Sequence, residues 1–82
     1  GVIVTLLAGG KLLVNQKAVA SGDWKLFEST LKSAFEKTKE PLVILEGDRS
    51  AFLGSAIEVM DHAKKAGAMK FAIATSADSS HQ

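Results

Sequence analysis

The sequence predicts an α+β fold in which a small mixed sheet packs on two helices, in the order ββαβαβ. Three observations predict it. Short apolar, β-branched segments separated by turn residues are typical of strands. Two longer segments carry apolar residues at helical spacing. In the second half, a strand, a helix and a strand follow one another, which predicts two parallel strands with a right-handed crossover.

The first part of the chain is predicted to form a β-hairpin. The segment VIVTLL (2–7) is apolar and β-branched, as strands are. The tripeptide AGG then turns the chain into a second strand over 11–15. Asn15 and Gln16 predict a second tight turn, and 17–20 is expected to extend the hairpin briefly.

An amphipathic helix is predicted over 21–40, with its apolar residues at i, i+3, i+7, i+10 and i+11. This stripe, which we expect to face the core, consists of Trp24, Phe27, Leu31, Ala34 and Phe35. Asp23 or Ser21 is expected to cap the helix at its N-terminus. Pro41 is expected to end it, because the residue before a proline avoids helical geometry.

The segment PLVILEG (41–47) is apolar without alternation, which predicts a buried or middle strand. A second helix is expected to follow, with Asp48 or Ser50 as its N-cap and Gly67 at its C-terminal end. Its predicted core stripe comprises Leu53, Ala56, Ile57, Met60, Ala63 and Gly67, with Phe52 and Val59 flanking it. The last predicted strand is KFAIATS (70–76).

The length and the ends of the chain suggest one domain with one modest core. We place that domain at 1–76 and expect the polar segment 77–82 to be a flexible tail. The chain has no initiator Met and begins inside a predicted strand. We therefore expect an excised domain whose missing flanks hold targeting or membrane segments.

Composition and charge argue against several functional classes. A net charge of +1 is too small to favour nucleic acid or an anionic membrane as a partner. The absence of cysteine excludes disulfides, thiolate metal sites and cysteine nucleophiles. No apolar run approaches the roughly 20 residues that span a bilayer.

Glu58 and His62 stand four residues apart in the second predicted helix, a spacing that can hold a metal ion. A catalytic zinc site needs a third ligand, and the other histidine, His81, lies in the tail. We therefore interpret Glu58, Asp61, His62 and Lys65 as a solvated helix face, with Glu58–His62 and Asp61–Lys65 pairs. The sequence predicts no catalytic residue, no metal site and no cofactor.

The turn EGDRS follows a predicted strand and begins a helix, which is where α/β folds often bind ligands. One hypothesis is therefore a free-standing α/β domain that binds an anion or metabolite at Asp48–Ser50. The segment has neither a P-loop nor a dinucleotide-binding glycine pattern. Capping and turn formation by Asp48 and Ser50 is the competing interpretation. Arg49 suits a protein or carboxylate partner better than catalysis.

Several motifs together resemble the periplasmic domain of the ExbD/TolR family. The segment GGKLLVNQKAV (Gly9 to Val19) matches the family pattern V-N-G-x-x-V, with Gln16 in place of the usual glycine. VILEGDRS matches an apolar strand that ends in an acidic–basic pair, and Phe52 matches an aromatic residue that follows it. VMDHAKKAG (59–67) matches V-M-D-x-x-x-x-A-G, and FAIATS loosely matches the last strand.

This resemblance implies a non-catalytic domain of a motor driven by the proton motive force. Family members have one N-terminal transmembrane helix, which carries the proton-bearing Asp, and sit as a dimer in an ExbB/TolQ-type pentamer. The periplasmic domain recruits or transmits force to a TonB- or TolA-like partner, and in some members it contacts the cell wall. The implied location is the periplasmic side of the inner membrane, in a single-pass protein.

The edges of a small sheet present unpaired N–H and C=O groups, which can bind a partner strand or a second copy of the chain. The N-terminal hairpin and the last strand are the two predicted edges. As candidate partner-contact residues we take Asp48, Arg49, Phe52, Phe71 and Ile73. The two hypotheses, a force-coupling domain and an anion-binding domain at Asp48–Ser50, differ in whether this region contacts protein or small ligands.

Overall fold

A computed structural model describes residues 1–75 of the chain. Its elements are β1 (Val2–Leu6), β2 (Leu12–Val14), β3 (Lys17–Val19), α1 (Trp24–Thr38), β4 (Leu42–Gly47), α2 (Arg49–Lys65) and β5 (Lys70–Thr75). The α+β fold with two helices and a mixed sheet is confirmed. The predicted extension after the second turn is a strand of its own, β3, so the sheet has five strands. Ser76 and the tail 77–82, with His81, lie outside the described residues.

The strands are ordered β3-β2-β1-β4-β5, which leaves β3 and β5 at the edges. β1, β2 and β3 form an antiparallel meander, whereas β1, β4 and β5 run parallel. The predicted parallel pairing of the strands on either side of α2 is therefore confirmed. Both predicted edges are also confirmed, with the hairpin ending in β3 and the last strand being β5.

The two turns of the N-terminal hairpin form as predicted. A short 3-10 turn at Ala8–Gly10 joins β1 to β2, with Gly9 and Gly10 at positive φ. Asn15 adopts the left-handed conformation, with φ of 53°, in the turn that joins β2 to β3. Its backbone N–H donates to the Ile3 carbonyl at 2.7 Å, and its Oδ1 accepts from the Ile3 N–H at 3.1 Å. Asn15 thus ties this turn to the central strand.

Both helices pack on one side of the sheet. α1 contacts β1 and β2, and α2 contacts β1 and β4. Alternate residues of the strands are consequently buried beneath them. These are Val2, Val4, Leu6, Leu12, Val14, Val19, Val43 and Leu45. The predicted stripe of α1 faces this layer, with Phe27 and Leu31 fully buried.

The predicted core stripe of α2 is wrong in part. Ala63 is buried as predicted, and Ala56 and Met60 pack against the core. Leu53 and Ile57, however, are 88% and 84% exposed, Gly67 is exposed, and Ala51 and Val59 are buried in their place. The physical reason is the size of the side chains. Alanine at two of the buried positions lets the helix axis approach β1 and β4 closely, whereas branched side chains there would hold the helix away from the sheet.

Gly47, the last residue of β4, lies against the neighbouring strand. A Cβ at this position would stand 2.6 Å from the Leu6 carbonyl oxygen, and the φ of 154° is one that side-chain-bearing residues rarely adopt. Gly47 therefore permits the close approach of β1 and β4 just before α2 begins.

Gly47→Ala is expected to lower the free energy of unfolding by about 1–3 kcal/mol, because backbone must move to admit the methyl group. Gly54→Ala is the matched control, since its Cβ would meet nothing within 4 Å on the exposed side of α2. It should instead raise stability by about 0.5–1 kcal/mol through helix propensity. Urea denaturation of both variants measures the difference. Equal effects of the two substitutions would contradict the proposed contact.

Candidate functional site: the β5 edge and the start of α2

The predicted partner-contact residues lie along one side of the molecule. Gly47 pairs with Thr75, so the C-terminal ends of β4 and β5 lie at the same end of the sheet. Asp48 and Arg49 follow β4 directly and begin α2 at that end. Phe71 and Ile73 belong to β5, in register with Val43 and Leu45 of β4. The parallel pairing thus brings the two parts of the predicted site to the same side of the sheet.

Asp48 is the N-cap of α2. Its Oδ1 accepts from the Ala51 N–H at 2.9 Å and from the Ser50 hydroxyl at 3.0 Å. The Ala51 N–H, followed by the Ser50 hydroxyl, lowers the pKa of the Asp48 carboxyl from its ordinary value. The carboxylate of Asp48 therefore stands where a bound anion would stand at a helix N-terminus. This geometry favours capping over the anion-binding interpretation of Asp48–Ser50.

β5 is an edge strand whose apolar residues are only partly covered. Phe71 is half-buried and packs against the core, and so does Phe52 from the first turn of α2. Ile73 is 60% exposed although it pairs with the fully buried Leu45. The difference arises because α2 packs mainly on β1 and β4 and leaves β5 uncovered. β5 therefore presents both an open backbone edge and an apolar side chain.

Sequence reasoning missed two apolar residues that extend this surface. Leu53, Ile57 and Met60 recur at i, i+4 and i+7 and so share one flank of α2. His62 lies on the opposite flank, which faces α1. Because α1 lies over β2 and α2 over β4, the flank with Leu53 and Ile57 faces the β5 side. The sequence of α2 contains two apolar stripes, one through Leu53 and Ile57 and one through Val59 and Ala63. Either stripe could have been the buried one.

The polar cluster of α2 is arranged differently from the prediction. Glu58, Asp61 and Lys65 are exposed as expected, but His62 is half-buried between the helices. Its Nδ1 lies 2.5 Å from Glu28 Oε2 of α1, so the ring does not pair with Glu58 as predicted. The imidazole also stacks on Trp24, with ring centroids 4.1 Å apart and planes 3° apart. His62 therefore joins the two helices rather than forming a solvated face.

The described residues contain neither an assembled metal site nor a membrane span. Within 1–75, no three acidic or histidine side chains converge in an arrangement suited to a metal ion. Neither α1 nor α2 has the length and apolar character that crossing a bilayer requires. What this part of the chain offers is a helix cap, an uncovered strand and an exposed apolar flank.

A two-layer α+β domain with an uncovered edge strand can bind another chain by strand addition. The family model of the biopolymer transport protein ExbD/TolR matches residues 1–78. The chain therefore belongs to the ExbD/TolR family, a transport-associated family of membrane-anchored energisers. Membership implies the ExbB/TolQ and TonB/TolA systems in general. A search of curated proteins finds no match.

The link between His62 and Glu28 is expected to contribute a coupling energy of about 0.5–1.5 kcal/mol, as a partly buried hydrogen bond does. A double-mutant cycle of Glu28→Ala and His62→Ala, followed by urea denaturation, measures it. The control cycle pairs Glu58→Ala with His62→Ala and should give a coupling near zero. A larger coupling in the control cycle would show that His62 pairs within its own helix.

Asp48→Asn is expected to reduce stability at neutral pH, because it removes the charge but keeps a capping oxygen. The folded-state pKa of Asp48 is lowered, so its contribution is complete above the ordinary Asp pKa of about 3.9 and is lost as the pH falls below it. The difference from the natural chain should therefore close in acid. Thermal unfolding across this pH range tests it, with Asp61→Asn on the exposed side of α2 as the control. A difference that persists at low pH would contradict the charged cap.

Proposed function

We propose that this chain is the periplasmic, non-catalytic domain of an ExbD/TolR-type membrane energiser driven by the proton motive force. It binds a TonB- or TolA-like partner and transmits force to it, for transport across the outer membrane or for its maintenance. A single transmembrane helix anchors the protein in the inner membrane beside an ExbB/TolQ-like subunit. Family membership supports the transport system, and the surface described above supports a binding role.

The observation that carries this proposal is the uncovered edge of β5. Its backbone can pair with one more strand, whose alternate side chains would then face the helix layer. There they would meet Ile73 and the exposed flank of α2 that carries Leu53 and Ile57. Asp48 and Arg49 lie where β4 and β5 end and would contact the end of that strand. Backbone pairing supplies affinity here, and the apolar flank supplies specificity.

The same edge accounts for a homodimer. Two copies of β5 can pair about a two-fold axis, because each strand offers the same row of backbone groups. Pairing with a copy and pairing with a partner then compete for one edge. We accordingly expect weak dimerisation of the isolated domain, displaced when the partner binds. A strictly monomeric mass at millimolar concentration would contradict the expected dimerisation.

Ile73→Lys is expected to weaken both contacts by about tenfold or more, since a charge would have to be desolvated at the centre of the interface. Little effect on folding is expected, because Ile73 is 60% exposed. Ala18→Lys on the other edge strand, β3, is the matched control and should leave both contacts unchanged. Sedimentation equilibrium measures the dimer, and calorimetric titration with the soluble domain of a TonB-like or TolA-like protein measures the partner.

Two results would contradict the proposed contact surface. The first is equal loss of binding in the two variants, which would point to net charge rather than to β5. The second is binding that survives Ile73→Lys but is lost with Ala18→Lys, which would place the contact on the hairpin edge. Thermal unfolding of both variants confirms that the fold is kept.

A further inference from the structure

The side of the sheet that faces away from the helices is uncovered and mainly apolar. On β1, β2 and β4 its outward-facing residues are Ile3, Thr5, Leu13, Leu42, Ile44 and Glu46. On the outer strands, alanine occupies the outward positions 18, 72 and 74, and Lys70 stands at the start of β5 opposite Leu42. The alanines leave the four larger apolar residues raised along the middle of the face. Neither helix covers any part of it.

A depression of about 710 Å³ lies on this face. It is lined by Ile3, Thr5, Leu13, Asn15, Gln16 and Glu46. Its lining combines apolar side chains with amide, hydroxyl and carboxylate groups. Binding surfaces commonly combine apolar side chains with a few polar groups.

Glu46 gives this face a defined charge. It is the one acidic residue among the outward-facing positions of the five described strands, and the one basic residue, Lys70, stands opposite Leu42 at the other end of the β4–β5 pair. Its Oε2 accepts from the Thr5 hydroxyl at 2.9 Å, across the pair of strands that holds Thr5 opposite Glu46. A carboxylate has about four acceptor positions, so one hydroxyl leaves capacity for a cationic donor. A partner that covered Glu46 without supplying a cation would bury an incompletely paired charge at high cost.

We propose that this open face binds an amphipathic helix of a partner protein, with an apolar stripe that one Arg or Lys interrupts to pair with Glu46. The apolar stripe would cover Ile3, Leu13 and Ile44, and the cation would reach the carboxylate at one end of the depression. A helix is the element that most commonly covers the second face of a sheet, and it does so without needing a strand edge. This surface is therefore distinct from the open backbone edge of β5, although the outward alanines of β5 border it.

Two synthetic helical peptides test the proposal with the 82-residue chain. Both carry a stripe of Leu and Ala, and they differ at one position in the middle of that stripe, which is Arg in one and Glu in the other. Amide chemical shifts of the isotope-labelled chain report where each peptide binds. The Arg peptide should shift Ile3, Thr5, Leu13 and Ile44, and it should bind about tenfold or more tightly than the Glu peptide.

Charge reversal identifies the group responsible. Glu46→Lys should reverse the preference between the two peptides, and Glu46→Gln should abolish it. Glu58→Lys is the matched control, because it changes the net charge equally on the exposed side of α2 and should leave the preference unchanged. Thermal unfolding verifies that each variant is folded. Reversal by Glu46→Lys but not by Glu58→Lys supports the proposal.

Each remaining outcome overturns it. No binding of the Arg peptide at millimolar concentration would show that the face is not a helix-binding surface. Shifts confined to β5 and α2 would assign peptide binding to the strand edge instead. Self-association that Glu46→Lys changes, together with shifts at Ile3 and Leu13 on dilution, would show that a second copy of the chain covers this face. The Ile73→Lys variant tests partner binding at β5 separately.

Discussion

Burial of one side of β1 determines where both helices lie. β1 is the central strand, and Val2, Val4 and Leu6 are almost completely excluded from solvent. Both helices must lie over it to achieve this, because one helix covers only part of a five-stranded sheet. Apolar side chains of this size stabilise the fold by about 1.5–3 kcal/mol each when buried. With both helices on one side, the outer strand β5 and the opposite face are left uncovered.

The two helices are also fixed relative to one another. Besides apolar packing, the described part of the chain joins them through His62, which bonds Glu28 and stacks on Trp24. Trp24 in turn contacts Phe27 edge to face, with centroids 5.6 Å apart. The position of α2 over β4 is thereby held from the α1 side. The width of the exposed flank beside β5 follows from that position.

Local signals predicted most of the elements. Pro41 marked the boundary between α1 and β4, the Asp48 cap marked the start of α2, and the stripe through Phe27 and Leu31 gave the buried side of α1. The buried side of α2 was harder to predict, because its apolar residues are spread around more than half of the helix. Which stripe is buried depends on how closely the axis approaches the sheet, and that is a property of the packed layers.

The candidate site was predictable only in part, for a related reason. Phe71 and Ile73 could be recognised as members of a terminal strand, and Asp48 and Arg49 as the turn before a helix. Leu53 and Ile57 were predicted to be core residues because the helical spacing of apolar side chains is the same whether they are buried or exposed. The partner of His62 could not be read from one helix, since Glu28 is 34 positions away in the chain. Contacts between elements require the tertiary arrangement.

The inequality of the two sheet edges limits how copies of this domain can assemble. β3 has three residues and places Lys17 at its start, features that discourage strand addition, whereas β5 has six residues, four of them apolar, with its one charged residue, Lys70, at the first position. A domain with two receptive edges could add copies at both and grow into an open-ended fibre. When β5 is the one receptive edge of the described sheet, pairing of two copies leaves neither copy with a free receptive edge. Under the proposed pairing through β5, assembly would therefore stop at two copies and form no polymer.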